Sequence, residues 1–282
     1  MALIWSFLFS MAYGVGGIAF NLSIRYIGFA LTYAVAVGLS AVLGTLVPPL
    51  VRGEFGTILS KTGSNWVLSG VAIGALGIGV CGIAGRLKER DLAAQGMGTG
   101  QFNLLKGLGL SLIAGVLSAV YGFALSVAAP VADIAEAYGA GQWKGNVIYL
   151  TANTGAFVTS MIYCIYLATK NHSFVEFVRL KDGSKRGSLW GNYLFATLTG
   201  TLWYGQFFFY NLGHVRMGQY EFTSWAIHMI MLVLFSNLTG ILFREWKGCG
   251  FRTRIVIVLG LLVLIISVLS LTYGNYLGQE AA

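Results

Sequence analysis

The sequence predicts an all-α membrane protein with several transmembrane helices. Of its 282 residues, 56% are hydrophobic and only 10% are charged, whereas about a quarter of the residues of a soluble domain carry charge. The apolar residues form long continuous runs, unlike the alternating segments of about ten residues that build a β-barrel. Glycine has no three-residue period and the chain has three cysteines, which excludes collagen-like and disulfide-rich classes.

Eight apolar runs are each long enough to cross a bilayer, which takes about 20 residues of helix. They lie at 3–22, 28–50, 65–85, 107–131, 147–169, 189–212, 224–243 and 255–277. We call them runs 1 to 8. The expected organisation is runs 1–3 in 1–85, a cytoplasmic loop at 86–106, and runs 4–8 in 107–282. Because the start of the chain has no basic segment, the first run predicts a transmembrane helix rather than a cleaved signal peptide.

The basic residues predict the orientation. All but four of the 18 Lys and Arg residues fall in the loops after runs 1, 3, 5 and 7; the exceptions are Arg52, Lys61, Lys144 and Arg216. Positive loops stay in the cytoplasm, so both termini are expected in the periplasm. The net charge of +8 is therefore attributed to membrane topology, and no nucleic-acid partner is expected.

A weak internal repeat links the first and sixth runs. Run 1 contains Tyr13-Gly14 followed by Asn21, and run 6 contains Tyr204-Gly205 followed by Asn211. An offset of five helices reverses the orientation, which is typical of inverted-repeat transporters. Two inverted five-helix units require ten helices, so the first unit is expected to lack its first two.

Run 6 carries the first group of predicted binding residues. Trp203, Gln206, Tyr210 and His214 follow a 3-4-4 spacing and share one helix face. Aromatic rings stack on the C–H face of a sugar, and amides and hydroxyls bond its OH groups. Asn211 and, in run 1, Asn21 are further predicted sugar ligands. The alternative is ordinary helix packing with an interfacial aromatic belt.

Run 7 carries the second group. Glu221, Trp225 and His228 lie at i, i+4 and i+7 and also share one face. Trp225 is a predicted sugar ligand, whereas Glu221, His228 and His214 are the predicted proton-coupling residues, since ionisable groups within membranes are usually functional. The alternatives are a neutral His228 bonded to a carbonyl and a Glu221 paired with Arg216.

Nothing in the sequence predicts catalysis. It contains no nucleophile–base pattern, no phosphate-binding loop and no metal-ligand spacing. We therefore expect no enzymatic activity, no cofactor and no bound metal. The sequence does not predict an oligomeric state.

Five segments resemble the L-rhamnose–proton symporter family of the drug/metabolite transporter superfamily. They are NLSIRYIG at 21–28, GRLKER at 85–90, FNLLKG at 102–107, LWYGQFFFY at 202–210 and GHVRMGQYEFTSWAIHM at 213–229. The likeness runs from about Phe7 to Trp246. It implies a bacterial inner-membrane carrier with ten helices in two inverted halves, both termini periplasmic, that imports L-rhamnose with a proton.

The chain departs from that family in two places. The family has two more helices at its N-terminal side, and the stretch between Arg216 and Gln219 is one residue shorter and lacks a proline. Three explanations of the missing helices are open: a truncated reading frame, a misassigned start codon and a short functional variant. Besides L-rhamnose transport, the sequence leaves open a carrier of another sugar or metabolite and an inactive remnant of a membrane protein.

Overall fold

The computed structural model describes residues 1–51, 53–96, 103–179, 188–214 and 217–280. Within these ranges the chain is helical and contains no strand. The α-helices are α1 (Ala2–Val51), α2 (Phe55–Ser60), α3 (Ser64–Ala94), α4 (Leu104–Val127), α5 (Ala129–Ala137), α6 (Asn146–Lys170), α7 (Leu189–His214), α8 (Ser224–Leu242) and α9 (Phe251–Glu280). Short 3-10 helices lie at Gly141–Trp143, Phe174–Phe177 and Gly218–Thr223.

Seven segments of the described chain are long and apolar enough to cross a membrane. They are Ala2–Phe29, Leu31–Val51, Ser64–Ala94, Leu104–Ala137, Gly141–Lys170, Ser224–Leu242 and Phe251–Glu280. The predicted class, an all-α polytopic membrane protein, is confirmed. Run 6 forms α7 but is not among the seven, because its threonines, amides and polar aromatic residues lower its mean hydropathy.

The first two predicted helices follow one another directly in the structure, without an intervening loop. Both belong to α1, which is interrupted only at Gly28, where φ is 77° and ψ is 168°. A side chain at this φ would be strained, and glycine adopts it freely. The connection between runs 1 and 2 is therefore a sharp break in a helix rather than a loop.

The predicted cytoplasmic loop at 86–106 is shorter in the structure. α3 continues past Gly85 to Ala94, because this segment contains good helix formers and neither glycine nor proline after Gly85. α4 begins at Leu104, and the Asn103 side chain caps it by accepting a hydrogen bond from the Lys106 backbone N–H at 3.0 Å.

Helix packing leaves α7 the least covered of the long helices. α1 packs most extensively on α4 and also on α6, and α3 packs along α9. Gly70, Gly77 and Gly260 permit this close approach of α3 and α9, since a Cβ at each would clash with the other helix. By contrast, only Phe207 and Asn211 of α7 are buried.

The two ends of the helix bundle are fixed by different contacts. At one end, the Tyr220 hydroxyl donates to the Thr62 carbonyl at 2.7 Å, and burial raises the pKa of this hydroxyl. At the other end, Asp91 of α3 accepts from the Gly250 N–H at 2.8 Å and the Thr253 hydroxyl at 2.6 Å. We call these the Tyr220 end and the Asp91 end.

Candidate functional site

Phe207 of α7 is buried and lies at the centre of a group of rings, of which Trp203 is 42% exposed. Its ring centroid is 5.5 Å from that of Tyr121 in α4, 5.5 Å from that of Tyr149 in α6 and 5.2 Å from that of Trp203. We define the aromatic cluster as Tyr13, Tyr121, Tyr149, Trp203, Phe207, Tyr210 and Trp225. It joins α1, α4, α6, α7 and α8, so it lies where most of the long helices meet.

Trp225 of α8 connects the aromatic cluster to α1. Its Nε1–H donates to the Ser40 carbonyl at 3.1 Å, and its ring lies against Gly44. Tyr210 meets this indole edge-on at a centroid distance of 5.9 Å. Trp225 is 5% exposed, so both its ring and its one polar atom are held by the protein.

Two amides give the site hydrogen-bonding capacity. Asn153 of α6 accepts the Tyr121 hydroxyl hydrogen bond through Oδ1 at 2.8 Å, and its Nδ2 has no acceptor among the described residues. The Nδ2 of Asn211 likewise has none, while its Oδ1 lies against the Gly145 backbone. An unsatisfied buried donor costs about 1–3 kcal/mol, so a ligand that supplies acceptors stabilises this arrangement.

A line of polar side chains extends from the cluster toward the Tyr220 end. The Ser224 hydroxyl is 2.6 Å from Nδ1 of His214 and 2.8 Å from the Tyr210 hydroxyl. The Tyr210 ring in turn lies 4.9 Å from the His228 ring. The structure therefore brings together the two histidines predicted from the sequence, with Tyr210 and Ser224 between them.

The structure collects some of the predicted residues and leaves others apart. Trp203, Tyr210, Trp225, His214 and His228 belong to the cluster or contact it, and Asn211 is buried on the Phe207 face of α7. Two residues point elsewhere: Gln206 donates to the Trp203 carbonyl of its own helix at 2.9 Å, and exposed Asn21 donates to the Gly17 carbonyl at 3.0 Å. Arg216 and the side chain of Glu221 lie outside the described residues.

Sequence reasoning missed the residues that the other helices contribute. Phe207, rather than its neighbour Gln206, is the inward position of α7. Tyr121, Tyr149 and Tyr13 were not among the predicted site residues. One feature of the sequence could have indicated them. Asn153 is an amide within an apolar run and therefore requires a polar partner, but the sequence does not show that this partner is Tyr121. Within the described ranges, His, Cys, Asp and Glu side chains form no group of three that would bind a metal ion.

One groove of the described structure lies away from the cluster, on α7. It has a volume of about 570 Å³ and is lined by residues of α7 alone, namely Thr197, Gly200, Thr201, Tyr204, Gly205 and Phe208. Since one helix lines it and its other side is open, it offers little enclosure to a polar ligand. The aromatic cluster, enclosed by several helices and supplied with amides, is the better candidate site.

Comparison with known proteins assigns the chain to a family. The family model described as L-rhamnose-proton symport protein matches residues 1–275. The L-rhamnose-proton symporter of Escherichia coli (strain K12 / DH10B) is 33% identical over 270 residues, which cover 93% of this chain and 75% of the relative. That of Mannheimia succiniciproducens is 35% identical over 265 residues, with the same shares.

A third relative, the L-rhamnose-proton symporter of Cronobacter sakazakii, is 34% identical over 270 residues and covers 93% of this chain and 75% of the relative. No solved structure matches the chain. Because the relatives are named as symporters, the expectation that the chain is a transporter and not an enzyme is confirmed. The chain belongs to the L-rhamnose-proton symport protein family.

Proposed function

We propose that this protein imports L-rhamnose together with a proton across the bacterial inner membrane. The observation that carries the proposal is the aromatic cluster with two amide donors that have no acceptor among the described residues, in a chain that matches the symporter family over residues 1–275. A sugar has apolar C–H faces and a rim of hydroxyl groups, and the cluster offers rings for the first and amides for the second.

The proposed sugar ligands come from facing helices. Trp203, Tyr210, Asn211 and Trp225 supply rings and an amide from α7 and α8, and Tyr121 with Asn153 supplies a hydrogen-bonding pair from the opposite side. Gln206 and Asn21 remain proposed ligands on sequence grounds. Because the rings pack against one another, the sugar enters only when the helices move apart, as alternating access requires.

The proposed proton-coupling residues are Glu221, His214 and His228. Support comes from the hydrogen bonds that link His214 to Ser224 and Ser224 to Tyr210, next to the His228 ring. This series of groups begins at the Tyr220 end and reaches the proposed sugar site. A proton bound along it would therefore alter the same side chains that hold the sugar.

The proposed orientation places both termini and the Tyr220 end in the periplasm. It rests on the loop charges, since Arg86, Lys88 and Arg90 near the Asp91 end belong to the strongly basic loops. Sugar and proton would then enter at the Tyr220 end and leave at the Asp91 end.

Uptake of labelled sugar tests the proposed function. Cells without another L-rhamnose uptake route, expressing this protein, are expected to accumulate labelled L-rhamnose above an empty-vector control and to lose the accumulation when a protonophore is added. Unlabelled L-rhamnose should compete, whereas other sugars should compete weakly. Absence of uptake, with the protein verified in the membrane, would refute the proposal, and preferred uptake of another sugar would reassign the substrate.

A further inference from the structure

We propose that Glu89 of α3 is a second proton-exchanging group of this symporter, acting at the Asp91 end, opposite Glu221. The proposal rests on the proposed function and extends it to the side on which the proton leaves. In this role the Glu89 carboxyl O–H gives its proton to water at the Asp91 end and becomes a carboxylate. No other reactant is required.

The position of Glu89 against the break in α1 is the first argument. Its carboxylate packs so closely on Gly28 that a Cβ at Gly28 would overlap both carboxylate oxygens. Gly28 is also the residue whose positive φ interrupts the helix. The first N–H groups after a break have no acceptor within the helix and carry partial positive charge. A change in the charge of the Glu89 carboxylate therefore acts on the N–H groups that follow the break at Gly28.

The second argument is that the other acids near this end are already engaged or exposed. Asp91 caps the start of α9 with its two hydrogen bonds. Glu245 is paired with Lys88 at 3.0 Å, and Glu176 is exposed. Glu89 is half-buried, and among the described residues no hydrogen bond or ion pair is formed by its carboxylate. Among the described acids at this end, Glu89 is therefore the one held by helix packing rather than by a hydrogen bond or an ion pair.

The positive charges that act on Glu89 come from Arg86 and Lys88 on its own helix. Arg25 precedes the break in α1, and the Lys106 ammonium of α4 lies 4.6 Å from the Tyr26 ring centroid. These positive charges are on the same side of the bundle and attract the ionised form of Glu89. Two acids of this end, Asp91 and Glu245, are held by the start of α9 and by Lys88. The site therefore has both a proton-binding group and charges that respond to its ionisation.

The third argument is dependence on conformation. The contact between Glu89 and Gly28 exists only while α1 and α3 are packed together at this end. When they separate, the carboxyl group becomes hydrated, so its proton affinity differs between the two states. A proton that binds two conformations unequally shifts the equilibrium between them, and the effect is reciprocal.

The length of α3 shows how far apart the two ends of the bundle lie. From Ser64, near the Tyr220 end, to Glu89 the helix advances about 37 Å at 1.5 Å per residue. A carboxyl group at position 221 cannot reach water at the Asp91 end by side-chain motion alone. Glu89 supplies an exchange site on that side.

The experiment compares Glu89→Gln with Glu176→Gln, a matched change at an exposed acid of the same end, and with Glu89→Asp. L-rhamnose counterflow in proteoliposomes, with equal pH on both sides, is measured across neutrality, together with accumulation driven by an imposed proton gradient. One coupled proton sustains a ratio of about 50-fold per 100 mV. We expect Glu89→Gln to keep measurable counterflow with a flatter pH profile and an accumulation ratio near one, and Glu89→Asp and Glu176→Gln to accumulate sugar.

The outcomes separate the two proposals. If the unaltered protein shows no L-rhamnose counterflow, the proposed function fails. If the unaltered protein transports but Glu89→Gln matches Glu176→Gln in pH profile and accumulation, the Glu89 proposal alone fails. It also fails if Glu89→Gln loses counterflow and Glu89→Asp does so too, because the residue then serves only to hold the helices together.

Discussion

A single methyl group added at Gly44 is expected to disturb the aromatic cluster by displacing one proposed ligand, Trp225. Gly44 lies in α1, and a Cβ there would come 2.5 Å from both Cδ1 and Nε1 of Trp225. Real Cβ contacts are not this short, so the indole must move. Its movement breaks the 3.1 Å hydrogen bond to the Ser40 carbonyl and loosens the packing on Tyr210.

The size of the effect follows from three contributions. Alanine is favoured over glycine within a helix by about 1 kcal/mol. Overpacking a filled core costs about 1–3 kcal/mol, and the lost hydrogen bond costs about 0.5–1.5 kcal/mol. Once the alanine preference is subtracted, Gly44→Ala is therefore expected to destabilise the fold by about 0.5–3.5 kcal/mol. Gly17→Ala in the same helix is the matched control, because no atom lies within 4 Å of its added Cβ.

Two measurements check this prediction. Thermal unfolding of the purified proteins in detergent should place the midpoint of Gly44→Ala below that of the unaltered protein and Gly17→Ala at or above it. In counterflow, Gly44→Ala should raise the apparent KM for L-rhamnose, since Trp225 is displaced, and Gly17→Ala should not. Equal midpoints and equal KM values for the two variants would refute the packing described around Trp225.

Two further predictions concern residues chosen from the sequence. Gln206→Leu should raise the apparent KM for L-rhamnose about two- to thirteen-fold, which corresponds to a lost hydrogen bond of about 0.5–1.5 kcal/mol; an unchanged KM in counterflow would leave Gln206 as a residue that only bonds its own helix. Glu221→Gln should abolish uphill accumulation but retain sugar exchange, because the amide mimics a permanently protonated acid. Accumulation by Glu221→Gln under an imposed pH gradient would instead assign the coupling to His214 or His228.

The sequence was sufficient for the class of protein and for most helix positions. In a bilayer every backbone N–H and C=O must be satisfied within the segment that crosses it, so a long apolar run has few structures other than a helix. This is why runs 2, 5, 6 and 7 reappear as helices or helix segments near their predicted bounds. The paired motifs around Trp203–Tyr210 and His214–His228 also identified the family, since they combine rare residue types at fixed spacing.

The errors arose where composition alone does not decide geometry. A loop between runs 1 and 2 was expected, yet the positive φ of Gly28 alone is enough to change the direction of α1. Polar residues after Gly85 suggested a loop, yet α3 continues for about two and a half more turns. Asp91, Lys88 and Gln95 find partners at or just before the start of α9. Charged residues end a transmembrane run, but they do not end a helix.

The sequence by itself determined that the chain crosses the membrane as helices, and it identified the aromatic and ionisable residues of α7 and α8. Only the tertiary structure decided which side of α7 faces inward. Helical spacing shows that Trp203, Gln206 and Tyr210 are neighbours along a surface, but the rotation of that surface depends on what packs against it. Phe207 faces inward because its ring packs against Tyr121 and Tyr149, which lie on two other helices. The contact of Glu89 with Gly28 likewise joins residues 61 positions apart. Such contacts arise from the packing of whole helices, which no local pattern of residues records.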